Sequence, residues 1–155
     1  VTIEDDIAFF EKVPTLGLLG RAALRILAIG AESRQVARGR ALFHAGDPAD
    51  CGYVVQEGSF DLTPPKADGG HGTVAGRGTL LGELAMITET PRPVTATARE
   101  PSTVIRIPRG LFLKMLEGYP ETARRLRDSM AARAEQWTQE MENVKAKLEQ
   151  SEKRK

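Results

Sequence analysis

The sequence predicts an α+β fold that is mainly β: an antiparallel β-sandwich or jelly roll with N-terminal helices and two C-terminal helices, the last one long. Three observations predict it. β-prone runs between residues 33 and 107 recur at a spacing of roughly 8–12 residues, separated by Gly, Pro and Asp turn signals. Apolar residues at helical spacing fill the stretch before them. From Pro120 to the end no Gly or Pro interrupts a charge-rich amphipathic run.

In order along the chain, I-E-D-D-I-A-F-F-E-K (3–12) places Ile3, Ile7 and Phe10 on one helical face with acids in the first turn. Pro14 and Thr15 punctuate, and Thr15 is placed to cap a second helix over 16–30, whose face is Leu16, Leu19, Ala23, Ile26, Leu27 and Gly30. Val36 and Ala41–Phe43 read as short strands separated by R-G-R, and G-D-P at 46–48 is a strong turn before a strand over Gly52–Gln56. Gly58, between two strand-like pieces, is expected at positive φ. The glycine- and proline-rich stretch 61–78 reads as an irregular loop with one weak strand near Thr73–Ala75. Val94–Ala98 and Thr103–Ile107 alternate as strands about a Glu100-Pro101 turn. Leu111, Phe112, Met115 and Leu116 then make a short helix that stops at Gly118.

In the last helix, Leu126, Met130, Ala134, Trp137, Met141, Val144 and Leu148 are spaced 4-4-3-4-3-4. That is an a/d seam, and a lone helix with such polar flanks needs a partner, so a homodimer is expected. The division is a domain over 1–118 and a dimerisation helix over 119–155.

Composition excludes several classes. With 22 basic and 21 acidic residues the net charge is +1, so no basic field argues for nucleic acid, and the mixed charges of the tail read as a solvated face. No apolar run approaches membrane-spanning length and no signal-peptide pattern opens the chain. The single cysteine, Cys51, cannot close an intrachain disulfide and fits a reducing, cytoplasmic setting as a small, partly buried residue. His44 and His71 have no Cys or carboxylate at ligand spacing, so no metal site is expected. No nucleophile–base pair or acid pair is placed for catalysis, so the chain does not read as an enzyme.

One stretch carries chemistry: G-T-L-L-G-E-L-A-M-I-T-E-T-P-R-P-V-T-A-T-A, residues 78–98. Glu83 can accept a sugar hydroxyl and the Arg92 guanidinium can fork onto a phosphate. Leu84–Ile87 is long enough for about one helical turn, whose free N–H groups favour an anion. The plainer reading of the two charges is a salt bridge between them.

The run G-E-L-A-M-I-T-E-T-P-R-P-V-T resembles the phosphate-binding cassette of cyclic nucleotide-binding domains, where a G-E-[LIV]-A and a P-R-x-[AS]-[TV] segment hold the ligand, and its spacing matches theirs without a gap. F-H-A-G-D-P (43–48) and V-V-Q-E-G (54–58) resemble that family's turn and strand patterns, and the similarity runs over roughly residues 7–137. The resemblance implies a ligand, cyclic AMP or cyclic GMP, contacted by Gly82, Glu83, Leu84, Ala85, Arg92, Pro93 and Val94. Gly82 and Glu83 would meet the ribose 2′-hydroxyl, the Ala85 N–H the cyclic phosphate, and Arg92 its charge. The C-terminal half looks most like sensor domains of the catabolite-activator type, with Pro120, Met130 and Arg133 at matching places. There the long helix is the dimer seam and touches the base, here through Trp137 and Thr138. Its DNA-binding helix-turn-helix has no counterpart in this sequence.

Pro93 and Glu89 depart from what is usual in the family. Pro93 brings no N–H where the family often donates one, which costs roughly 1.5–3 kcal/mol of phosphate binding if uncompensated, and no hydroxyl where the family sometimes donates one, which leans toward cyclic AMP. Glu89 adds negative charge where glycine is common. The resemblance therefore implies a cyclic nucleotide sensor whose C-terminal helices rearrange on binding. The alternative is a dimerisation scaffold that keeps the fold and no longer binds nucleotide.

Overall fold

A computed structural model of the chain describes residues 2–65 and 72–153, with the backbone alone of Ala134, Trp137 and residues 151–153. His71 lies outside the described residues. Helix α1 (Ile3–Glu11) starts on a capping box: the Thr2 hydroxyl accepts from the Asp5 N–H at 3.2 Å, and the Asp5 carboxylate accepts from the Thr2 N–H at 3.1 Å. Its face Ile7 and Phe10 is fully buried. The helix expected over 16–30 is instead two pieces, a 3-10 turn Leu16–Leu18 and helix α2 (Arg21–Gly30). Gly20 at φ +86° separates them, a conformation that ends the helical run although the apolar spacing continues through it. Thr15 makes no side-chain cap and itself sits at φ +74°, outside cap geometry.

Ten strands follow among the described residues: β1 (Glu32–Val36), β2 (Ala41–Phe43), β3 (Pro48–Ala49), β4 (Cys51–Glu57), β5 (Phe60–Thr63), β6 (Thr73–Ala75), β7 (Leu80–Leu81), β8 (Thr90–Pro91), β9 (Thr95–Ala98) and β10 (Ser102–Pro108). They form two four-stranded antiparallel sheets, ordered β1-β10-β4-β7 and β2-β9-β5-β6, with β3 and β8 as a separate ribbon. The antiparallel sandwich expected from the strand spacing is present. Gly58 has φ +89° as expected. The loop expected from residue 61 begins later: Asp61 and Leu62 pair with Thr97 and Ala96 of β9, a long-range ladder that local composition does not signal.

Helices α3 (Arg109–Gly118) and α4 (Pro120–Lys153) complete the chain. β4 is buried on both faces, so its residues divide between two cores. Val54 joins α1, α2 and α3 through Ile7, Phe10, Leu24, Leu27, Phe112 and Met115. Cys51, Tyr53 and Val55 point the other way, into the sandwich, with Phe43, Phe60 and Val104. Gly52, between them, lets the cassette dock: a Cβ there would lie 2.8 Å from Met86 Cγ.

The expected seam divides as well. Leu126 is buried in the protomer's own helical core and Met130 packs against it, since α4 must first cover α3 and the helices before it. Met141, Val144 and Leu148 are 52%, 52% and 62% exposed. The side chains of Ala134 and Trp137 lie outside the described residues.

Candidate functional site

The cassette is built from a 3-10 turn, Leu84–Met86, between β7 and β8. Met86 and Ala85 anchor it in the core, while Leu84 is 50% exposed. Within the turn the Ala85 N–H donates to the Gly82 carbonyl at 3.1 Å and the Met86 N–H to the Glu83 carbonyl at 3.2 Å. The N–H groups of Glu83 and Leu84 open the turn and have no partner inside it.

Arg92 lies across from this turn, its backbone held by the G-D-P segment. The Gly46 N–H donates to the Arg92 carbonyl and the Arg92 N–H to the Asp47 carbonyl, both at 2.8 Å. Asp47 is thus the turn residue expected, its carboxylate also accepting from the His44 N–H at 3.0 Å. The Arg92 side chain runs inward and is 5% exposed. Its Nη2 donates to the Cys51 carbonyl at 2.9 Å and contacts Cys51 Sγ at 3.3 Å. Its Nη1 is buried and has no hydrogen-bond partner. The guanidinium carbon stands 4.4 Å from the Phe43 ring centroid and 5.4 Å from that of Tyr53. Burial and the neighbouring Cys51 thiol push the Tyr53 hydroxyl above its usual range, so its ring meets Arg92 neutral.

Gly82 makes this approach possible. Its φ is +78°, and a Cβ there would lie 2.2 Å from Arg92 Nη1. The Glu83 carboxylate takes a different partner from the one the bare charges suggested: it pairs with Arg133 of α4, whose Nη1 donates at 3.2 Å and whose Nη2 is closer still. That hydrogen bond holds the Arg133 pKa above its ordinary value. Cassette and long helix are therefore joined through charge.

Gly82, Glu83, Leu84, Ala85, Arg92 and Pro93 line one cavity of about 310 Å³, at the lower end of small-molecule sites. Val94 packs instead against the sandwich core. Thr138 lines a groove along α4 with Met141, Val144 and Leu148, apart from this cavity. Trp137 cannot be placed against it, because its side chain lies outside the described residues. Glu89 faces a neighbouring groove with Asp50, Pro91 and Arg109 rather than the cassette cavity. Phe43, Cys51, Tyr53 and the Arg133 contact were not anticipated as site features. The inward alternation Cys51-Tyr53-Val55 was the one signal for the first group; nothing local signals a contact 50 residues away. Among the described residues no group of side chains is placed to hold a metal ion, and no helix is long and apolar enough to cross a membrane.

A model of the cyclic nucleotide-binding domain matches residues 33–119. Lysophospholipase NTE1 of Chaetomium globosum is 33% identical over 101 residues, 64% of this chain and 7% of that protein. This chain thus spans a small fraction of that curated relative. The structure of a cyclic nucleotide-binding-like protein from Brucella abortus is 35% identical with a TM-score of 0.63, covering 73% of this chain and 98% of that one. The N-terminal domain of a transcriptional regulator from Streptomyces coelicolor A3(2) is 30% identical with a TM-score of 0.75, covering 86% and 94%.

Proposed function

The chain belongs to the cyclic nucleotide-binding domain family, and from that premise we propose that it is a regulatory sensor module that binds a cyclic nucleotide, cyclic AMP ahead of cyclic GMP. One observation carries the proposal: a buried guanidinium whose Nη1 has no partner, at the edge of the cavity the cassette encloses. Leaving a buried charged donor unsatisfied is costly, and a cyclic phosphate would satisfy it. The N–H groups that open the turn at Glu83 and Leu84 would serve the same phosphate, and Gly82 and Glu83 the ribose 2′-hydroxyl. Pro93 has no side-chain hydroxyl to accept from a guanine amino group, which favours adenine.

The signal leaves through α4. A ribose hydroxyl on Glu83 competes with Arg133 for the same carboxylate, so ligand binding and the position of α4 are linked. The ligand shifts that helix only by its differential affinity for two arrangements. Pairing of α4 along Met141, Val144 and Leu148 would make the module a homodimer.

Calorimetric titration of cyclic AMP and cyclic GMP, with Arg92→Ala as control, tests the reading. Micromolar binding that vanishes in the control is expected. Pro93 and the engagement of Glu83 by Arg133 favour a second reading, a dimer scaffold without nucleotide. Absence of heat and of thermal shift with both ligands would establish it and overturn the first.

A further inference from the structure

Arg92 is a buried cation, and the hydrogen-bond and ring contacts of its guanidinium among the described residues are all with uncharged groups. They are the Cys51 carbonyl and thiol and the faces of Phe43 and Tyr53. A buried ion ordinarily needs a counter-charge, because desolvation costs more than neutral dipoles return. Glu83, the carboxylate lining the same cavity, is committed to Arg133. The two rings take the place of that counter-charge. They stack on one another with centroids 6.0 Å apart and planes 24° apart, and the guanidinium rests over both. A π face stabilises a cation without neutralising it. A carboxylate in the same place would satisfy Nη1 and cancel the field an anion needs.

We infer that Phe43 and Tyr53 are positioning residues for phosphate binding: an aromatic floor that holds the Arg92 guanidinium in place, undischarged, with Nη1 toward Gly82. The floor comes from strands distant in sequence, Phe43 ending β2 and Tyr53 within β4. Its role rests on the nucleotide reading proposed above. Without the rings the guanidinium gains freedom that binding must remove, so affinity falls through lost preorganisation.

Two measurements on the full chain test this. Proton NMR of the Arg92 side chain reads the floor directly, since protons over ring faces shift upfield. Calorimetry with cyclic AMP reads its effect. Phe43→Leu and Tyr53→Leu are each expected to reduce the upfield shift and to weaken binding by about tenfold. Phe43→Tyr and Tyr53→Phe, which keep the faces, are expected to bind within about twofold of the parent. Should a leucine variant fail to fold, methionine at the same position supplies a comparable volume without a π face. Leucine or methionine variants that fold and bind as tightly as the parent, or tighter, overturn the inference. So do aromatic exchanges that lose as much as leucine. Upfield-shifted Arg92 protons in a parent that binds neither nucleotide would sink the sensor reading and leave the floor a structural clamp only. Arg92 protons at ordinary shifts in a parent that binds would sink the floor alone.

Discussion

Gly82 is the residue on which the site geometry turns. A side chain there meets both a left-handed backbone and a guanidinium nitrogen 2.2 Å from the new carbon. Gly82→Ala is expected to destabilise the fold by about 1–3 kcal/mol and to abolish nucleotide binding, as read by thermal melting and calorimetry. Arg133→Ala behaves differently. Both partners of its ion pair are partly exposed, so the melting free energy should change by no more than about 1 kcal/mol. The cassette was legible because its functional positions are contiguous and their order alone encodes a turn, a carboxylate and a guanidinium. The groups beneath Arg92 were not: Cys51 stands 41 residues away, and only the strand pairing brings it under the arginine.

Among the elements, α1 depends on its acids. Glu4 is held below its ordinary value of 4.5 by its hydrogen bond to Arg25, with Arg21 adding charge. A carboxylate lowered on folding adds stability that is complete above the unfolded value and is withdrawn as pH falls through the folded one. Melting temperatures followed downward from about pH 6 to 3 should fall less steeply in Glu4→Gln than in the parent. Helix α4 poses a second test. Met141→Glu with Leu148→Glu alters two exposed positions and should leave the domain folded while halving its mass in sedimentation, if α4 pairs as proposed. The break at Gly20 teaches a related lesson. Apolar spacing reports which face is buried, and Leu16, Leu19, Ala23 and Leu27 are indeed buried, but it does not report whether the backbone beneath that face is continuous.

At the scale of the whole molecule, sandwich and helices are not independent bodies, since β4 and β10 each supply residues to both cores. Strand spacing made the sandwich legible, whereas the sharing of β4 follows from burial on both faces, which alternation alone does not predict. Hydrogen exchange should therefore find the slowest amides in β4 and β10. If the cassette steers the long helix, cyclic AMP should alter exchange in α4 of the parent and not in Arg133→Ala. Beyond Met130 every described side chain of the helix is exposed. Those 23 remaining helical residues reach about 34 Å, fixed at one end by Arg133 on Glu83. On the proposed function it would act as a lever with its short arm at the cassette: a tilt of about 10° at that pivot would carry its tip about 6 Å, enough for whatever the tip meets to register the difference between two nearly identical cassettes.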